Sequence, residues 1–273
     1  MLQTTSWLPR TEGSVRLQLV QRGGRTRLAR LEERGAARLR FPRSDPADPC
    51  EAVLLNTAGG LTGGDSFSIA ASLAPGARAV LTTAAAEKIY RSRQGAAAVS
   101  VALSVAGNGQ LAWLPQPTII FDRARFDRLT SIELGAEASF LAVEMLIFGR
   151  TAMGESVRHG AVRDAWRLRR QGTLLFADSF QLEGPIAAAL ARPAVLAGAR
   201  ASGLLLYAAP DAAARLAPLR ALLAQAASVA GLSCYNGVLV ARAVAADGRT
   251  LQRDLTRLIA NLYRAPLPRI WSC

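Results

Sequence analysis

The stretch Val15–Leu31 has the sequence VRLQLVQRGGRTRLARL, and its pattern decides the fold class. Apolar and polar residues alternate on both sides of the glycine pair Gly23 and Gly24. Alternation with a period of two is typical of half-buried strands, and a glycine pair between two such runs favours a β-hairpin. The sequence therefore predicts two hairpin-like strands, Val15–Val20 and Arg25–Leu31.

The same kind of pattern continues over the first two-thirds of the chain. Turn signals such as Pro75–Gly76 and Gly107–Gly109 separate the runs. Further predicted strands are Ala52–Asn56, Ala77–Thr83, Ala97–Val105, Arg128–Leu134, Ser139–Phe148 and Thr173–Leu182. Such spacing, with few long stretches of helical period, predicts a mainly β body of stacked sheets over residues 1–185.

The last third of the chain has a mixed pattern. It predicts a strand at Leu204–Tyr207, a helix from Pro210 to about Ala230, a strand at Leu232–Ala243 and an amphipathic helix at Arg249–Tyr263. No linker precedes this part. We therefore predict a single domain, 1–273, in which residues 186–273 form a mixed β/α part with a small α-helical C-terminal layer.

Composition excludes several classes of protein. The chain has 273 residues, 51% of them hydrophobic and 19% charged, which is typical of a globular protein rather than a disordered one. Its apolar runs are shorter than the roughly 18–20 residues that a membrane-spanning helix needs. Residues 1–7 lack the features of a signal peptide, so we predict a cytoplasmic protein.

Cysteine and histidine are scarce. Cys50, Cys234 and Cys273 have no metal-binding spacing, so we predict free thiols. His159 is the single histidine, which excludes a nickel or zinc site made of several imidazoles within one chain. No high-affinity metal site is predicted.

The net charge of +13 comes almost entirely from arginine. A basic chain can bind nucleic acid. The arginines are spread along the chain and alternate with apolar residues, as in Arg25–Leu31, which favours solvated or protein-binding strand faces. Nucleic-acid binding remains the alternative function.

The segment Asn56–Asp65 is rich in glycine. It lacks the spacing of a phosphate-binding loop, since neither GxxxxGK[ST] nor GxGxxG is present. Two interpretations remain. The segment is either a tight crossing between strands or a loop that holds Asp65 beside a cavity.

A second polar segment follows the strand that ends at Thr82 and Thr83. There Glu87 and Lys88 could line a polar channel or form a solvated surface pair. An isolated lysine could also form a Schiff base, which would make the chain an enzyme. The sequence contains no GxSxG or HExxH motif and no Cys–His pair, so we predict that it is not an enzyme.

Two carboxylates lie inside apolar strands. They are Glu144 and Asp178, and burying their charge costs free energy unless the carboxylates are paired or hydrated. They could be structural partners of core arginines such as Arg150, or hard oxygen ligands along a metal path. The cost of burying charge alone favours the structural interpretation.

Taken together, five segments resemble the UreD (UreH) family of urease accessory proteins. They are Gly59–Asp65, Lys88–Ser92, Trp113–Gln116, Phe148–Arg150 with Gly154–Glu155, and Leu267–Trp271, and they occur in the family's order. The resemblance implies a largely β, solenoid-like fold with helices near the C-terminus. It also implies a structural role for the motif residues Gly59, Gly60, Gly63, Gly64, Lys88, Tyr90, Arg91, Arg150 and Glu155.

The resemblance also implies a function. Family members assemble with UreF and the GTPase UreG on the structural subunits of apo-urease, and Ni²⁺ passes through a tunnel to the urease active site. Carried over residue by residue, Asp65, Glu144 and Asp178 match acidic or polar tunnel positions, and Thr82 and Thr83 belong to the same neighbourhood. We therefore expect Ni²⁺ in transit, no tightly bound cofactor, and no nucleic-acid or membrane partner. Sparse carboxylates and hydroxyls suit transit, because a conduit must release the ion as well as bind it.

Overall fold

The computed structural model describes residues 10–43, 45, 47–150 and 154–271. The strands are β1 Glu12–Arg22, β2 Arg25–Gly35, β3 Ala37–Arg40, β4 Cys50–Asn56, β5 Ser66–Leu73, β6 Arg78–Thr83, β7 Glu87–Ile89, β8 Ala97–Val105, β9 Gln110–Leu114, β10 Thr118–Ile120, β11 Arg125–Leu134, β12 Ser139–Phe148, β13 Gly160–Arg170, β14 Thr173–Gly184, β15 Ala201–Ala208, β16 Val229–Tyr235 and β17 Val238–Ala245. The helices are α1 Ile186–Ala191, α2 Leu216–Leu223 and α3 Gly248–Leu262, with short 3₁₀ turns at Ala213–Arg215 and Arg269–Trp271. The predicted mainly β fold class is confirmed.

The described strands form two sheets. In the seven-stranded sheet the order is β14-β13-β11-β8-β5-β1-β2. In the ten-stranded sheet it is β16-β17-β15-β12-β9-β6-β4-β3, while β10 joins β12 to β7 beside this path. The sequence did not predict β3, β5, β7, β9, β10 or β13.

The chain winds back and forth between the two sheets. From β4 to β13 it places alternate long strands in the ten-stranded and the seven-stranded sheet, so neighbours within each sheet run parallel. Antiparallel strands flank this coil, for example β2 beside β1 and β14 beside β13. Parallel neighbours joined by such crossovers produce the solenoid-like arrangement that was predicted.

Alternation along each strand separates the core from the surface. On β11, Phe126, Ile132 and Leu134 are buried between the sheets, while Asp127 and Glu133 lie on the outer face. On β12 both faces are buried, because its outer face is covered by helices. Strands covered on both sides are expected to be largely apolar, and β12 is so apart from Ser139 and Glu144.

Helix α3 forms the main part of the helical layer. The Asp247 carboxylate accepts the Thr250 N–H at 2.9 Å and so caps the first turn. Buried residues of α3 then pack on the outer face of the ten-stranded sheet, among them Leu251, Leu255 and Leu258. The predicted amphipathic helix is thus confirmed within one residue at each end. Among the described residues, no helix has the length and apolar character needed to cross a membrane.

Two predictions for the last third are wrong. The predicted helix from Pro210 to Ala230 is reduced to α2 and a 3₁₀ turn, because Val229 already pairs with β17 at the sheet edge. Sheet pairing here outweighs the helical propensity of alanine. The predicted strand Leu232–Ala243 is a hairpin, in which Asn236 and Gly237 both take positive φ as a tight hairpin turn requires.

Candidate functional site

A buried arginine lies between the two sheets. Arg128 of β11 donates from Nε to Asp164 Oδ1 at 3.1 Å and from Nη2 to Asp164 Oδ2 at 2.8 Å. The same Nη2 also donates to Glu144 Oε1 of β12, and Nη1 donates to Thr118 Oγ1 at 3.1 Å. Trp166 of β13 donates its indole N–H to the second oxygen of Glu144 at 3.2 Å. We call these five residues the Arg128 cluster.

The cluster brings three charged groups into the protein interior. Arg128, Glu144 and Asp164 are 8%, 6% and 3% exposed, and the two carboxylates outnumber the one guanidinium. Burying ions is costly, and the cost is offset only where hydrogen bonds satisfy the charged atoms. Here the guanidinium and both carboxylates are hydrogen-bonded. Removing Arg128 would therefore leave two uncompensated carboxylates in the core.

Cavity I is a space of about 300 Å³ between the sheets on one side of this cluster. Apolar residues of both sheets form much of its wall, including Phe67, Val101 and Trp113. Its polar lining residues are Asn56, Thr83, Glu87, Lys88, Gln116, Thr118, Arg128, Thr130 and Glu144. Exposed lining residues such as Lys88 and Gly59 mark where the cavity reaches the surface.

Cavity II, also about 300 Å³, lies between β12, β13, β14, β15 and β17. Its lining includes Glu144, Asp164, Asp178 and Arg242. The exposed Val229 and Arg242 mark its surface side. Glu144 thus lines both cavities, and the Arg128 cluster separates them.

Asp178 projects from β14 toward β17. Its carboxylate is 2.7 Å from Arg242 Nη2, and the two side chains are 30% and 55% exposed. The partner of Asp178 is therefore Arg242, and that of Glu144 is Arg128. The predicted partner, Arg150, instead binds Glu155 and is far more exposed than a core arginine, so that part of the structural interpretation was wrong.

The remaining predicted path residues are held by backbone contacts. Asp65 accepts the N–H groups of Thr11 and Thr62, each at 2.8 Å, and so fixes the glycine-rich loop to the start of β1. Thr82 donates to the Leu114 carbonyl at 2.6 Å. Thr83 accepts the Gln116 N–H at 2.9 Å and lines cavity I, whereas Asp65 and Thr82 are absent from both linings.

Glu87 is a carboxylate of cavity I that the sequence left ambiguous. It accepts two hydrogen bonds from the Asn56 amide at 3.2 and 3.3 Å, and one from the Lys88 N–H. Burial raises the pKa of Glu87 above the ordinary value of 4.5, and these hydrogen bonds together with the charges of Arg128 and Lys88 oppose that rise. Glu87 is therefore a partly desolvated group rather than a solvated surface charge.

Comparison with known proteins identifies the family. The family model described as UreD urease accessory protein matches residues 11–272. This chain belongs to the UreD family. It is 51% identical over 263 residues to a urease accessory protein UreD of Xanthobacter autotrophicus, covering 96% of this chain and 90% of the relative. It is 48% identical to one of a Methylobacterium species, covering 98% of each, and 46% identical to one of Azorhizobium caulinodans, covering 96% and 97%.

The first two UreD motifs are bound to each other beside cavity I. The Leu61 N–H donates to the Lys88 carbonyl at 2.8 Å, and the Tyr90 N–H donates back to Leu61 at 2.7 Å. A Cβ on Gly60 would lie 2.3 Å from the Tyr90 ring and 2.8 Å from the Lys88 carbonyl, at a φ of +151°. Glycine is therefore required for this close approach. Thr62 also binds the Arg91 carbonyl at 2.9 Å.

Glycines Gly63 and Gly64 continue the same contact. A Cβ on Gly63 would lie 1.9 Å from Ser92 Oγ, and Gly64 has a φ of +88° beside Arg10. Gly59 has a φ of +74°, and its carbonyl accepts the Tyr90 hydroxyl at 3.1 Å. The glycine-rich segment is thus a tight crossing between strands, as the first interpretation held. Gly59 and Leu61 line cavity I, but Asp65, which the second interpretation placed beside a cavity, lines neither cavity.

The remaining UreD motifs meet at neighbouring points. The Arg150 guanidinium lies 4.5 Å from the Phe121 ring centroid and binds Glu155 at 2.7 Å, while Tyr90 packs edge-on against the same ring. Near the C-terminus, the Trp271 indole donates to the Leu114 carbonyl at 3.0 Å. Motifs that are distant in sequence therefore meet through Phe121 and Leu114.

Cys50 and Cys234 are free thiols, as predicted. Cys273 lies outside the described residues, and so do residues 1–7, on which the prediction about a signal peptide rests. His159 is exposed, and its backbone N–H donates to Asp122 at 3.1 Å. Over the described parts of the chain, the structure contains no group of three or more His, Cys, Asp or Glu residues arranged to hold a metal ion.

Sequence reasoning did not identify Arg128, Asp164 and Trp166 as site residues. The period of two on β11 placed Arg128 and Thr130 on the same face as the buried Ile132 and Leu134, which was a usable signal. The strand β13 was not predicted, so its inward residues could not be assigned.

Proposed function

We propose that this chain is a non-catalytic chaperone of urease maturation. It assembles with UreF and UreG on the structural subunits of apo-urease and contains part of the path by which Ni²⁺ reaches the urease active site. Membership in the UreD family, whose members are named urease accessory proteins, supports the role in maturation.

One observation supports the internal path. Glu144 lines both cavity I and cavity II, and each cavity reaches the surface at its own residues. The two cavities therefore lie on either side of the Arg128 cluster, one reaching the surface near Lys88 and the other near Arg242. An ion that entered one cavity would leave through the other only by passing Glu144.

The chemistry of the lining suits transient binding. Ni²⁺ is borderline in softness and accepts carboxylate and hydroxyl oxygens, but binds most tightly to thiolate or imidazole groups. The two cavities offer oxygens from Thr83, Glu144, Asp164 and Asp178, whereas Cys50, Cys234 and His159 line neither. A path of this kind supports passage rather than storage.

The path can be tested with one variant that fills cavity I and a control variant that does not. Val99 of β8 lines cavity I, while the next residue, Ser100, is exposed on the outer face of the same sheet. We expect Val99→Trp to lower the nickel content of urease co-expressed with the accessory proteins, because the indole occupies the cavity. Ser100→Trp adds the same side chain outside it and leaves nickel content unchanged.

Two quantities are measured: the nickel content per urease active site, and the yield of the chain bound to UreF, UreG and urease. Full nickel loading in Val99→Trp, with the complex intact, would show that cavity I is not the path. The same pull-down distinguishes the alternative function, since recovery of nucleic acid that resists high salt, without UreF or urease, would favour nucleic-acid binding.

A further inference from the structure

The Arg128 cluster has the geometry of a cation site whose cation is a side chain. A single guanidinium nitrogen, Nη2, is shared by Oδ2 of Asp164 at 2.8 Å and Oε1 of Glu144. Divalent transition-metal ions bind carboxylate oxygens at about 2.0–2.2 Å. An ion at the Nη2 position would therefore be within reach of both carboxylates after small shifts of their side chains.

A second observation points to a ligand at this place. Thr130 follows Arg128 by two residues and lies on the same inward face of β11. It is 1% exposed, and its Oγ1 makes no hydrogen bond within the described residues. It lines cavity I together with Arg128 and Glu144. Buried hydroxyls are normally hydrogen-bonded, so Thr130 offers a free oxygen in the wall of cavity I, the cavity that Glu144 also lines.

We propose that Glu144 and Asp164 form a divalent-cation site that Arg128 occupies as a built-in counter-ion. An arriving ion displaces the guanidinium into cavity I and is bound by the two carboxylates, with the Thr130 hydroxyl or a water bound to it as a further ligand. When the guanidinium returns, it competes for the same oxygens and the ion moves toward Asp178 in cavity II.

The charges explain why such a site is weak. Two carboxylates balance one divalent ion, but the displaced guanidinium remains nearby and adds a repelling positive charge. Binding also requires that the hydrogen bonds of Arg128 to Asp164 and Glu144 be broken. The proposal rests on the proposed function for the identity of the ion, Ni²⁺, and for its direction of travel.

The test is a Ni²⁺ titration of the full-length chain, followed by calorimetry and by Trp166 fluorescence. We expect Arg128→Gln to bind Ni²⁺ about ten- to a hundredfold more tightly than the unmodified chain, because charge-assisted hydrogen bonds no longer compete. Adding Asp164→Asn to Arg128→Gln should remove this gain. The part of the fluorescence change that is lost in Trp166→Phe is the part that arises at the Arg128 cluster.

A folded Arg128→Gln chain with unchanged Ni²⁺ affinity would overturn the proposal. If Arg128→Gln does not fold, Thr130→Val decides, since removing an unpaired hydroxyl of similar shape is tolerated. This variant should weaken Ni²⁺ binding by the otherwise unmodified chain about tenfold, and an unchanged affinity would again overturn the proposal. Because urease is absent from these titrations, their outcome is independent of the path experiment with Val99→Trp.

Discussion

Asp178 offers a way to separate a role in the nickel path from a role in stability. Its ion pair with Arg242 is half exposed, with side-chain exposures of 30% and 55%. Ion pairs in such positions contribute about 0–1 kcal/mol. Asp178→Asn should therefore change the free energy of unfolding by less than about 1 kcal/mol and leave the chain assembled with its partners.

Glu144 gives the opposite case. It is 6% exposed and accepts hydrogen bonds from Arg128 and Trp166, so Glu144→Ala leaves one guanidinium N–H and the indole N–H without this acceptor in the core. A buried donor that is left unsatisfied costs about 1–3 kcal/mol, so the two together cost a large part of the roughly 5–15 kcal/mol that stabilises a domain. Loss of urease activation in Glu144→Ala would thus not distinguish the two roles, whereas loss in an Asp178 variant would.

The experiment compares Asp178→Asn and Asp178→Trp, which removes the charge and also fills cavity II. We expect nickel per urease active site to fall in the order unmodified chain, Asp178→Asn, Asp178→Trp, at constant yield of the assembled complex. Asp127 is the matched control, because it forms an exposed pair with Arg163 at 3.5 Å on the outer face of the seven-stranded sheet. Asp127→Asn and Asp127→Trp should keep normal nickel content.

Normal nickel content in Asp178→Trp, with the complex assembled, would refute the path through cavity II. Loss of the complex in Asp178→Asn would refute the stability argument instead, since a half-exposed pair would then be essential for folding or assembly. Urea denaturation of the same variants measures the change in the free energy of unfolding directly.

Gly63→Ala should lower the free energy of unfolding by about 1–3 kcal/mol in urea denaturation, because the new Cβ would lie 1.9 Å from Ser92 Oγ. Gly231→Ala, with no atom within 4 Å of the new Cβ, should change it little, and equal losses would contradict the steric explanation. Glu87→Gln should stabilise the chain at neutral pH. Burial raises the pKa of Glu87 above 4.5, so the folded state holds the proton to higher pH than the unfolded state and stability falls as pH rises between the two pKa values. The advantage of Glu87→Gln in thermal denaturation should disappear below about pH 4, and an advantage that persists there would contradict this cause. Truncation after Gly248 removes the buried face of α3, whose five buried apolar residues contribute about 10 kcal/mol, so the shortened chain should not fold; a folded truncated chain by circular dichroism would contradict this prediction.

Much of the β architecture was readable from local patterns. Alternation identified β1 and β11, an apolar run identified β12, and the helical period identified α3 within one residue at each end. These features depend on which face of a strand or helix is apolar, and this information lies within a few residues. The predicted helix to Ala230 failed because pairing of Val229 with β17, a contact between distant residues, decided its conformation.

The sequence by itself also indicated that Glu144 and Asp178 need partners, because an unpaired charge in an apolar strand is too costly. It could not supply those partners. Arg128 is 16 residues from Glu144 and 36 from Asp164, and the three meet because β11, β12 and β13 lie in two facing sheets. A sequence pattern records which side chains face inward, whereas the pairing of sheets decides which of them meet. The cavities on either side of Glu144, and the difference between its buried pair and the half-exposed pair of Asp178, depend on how the two sheets pack against each other.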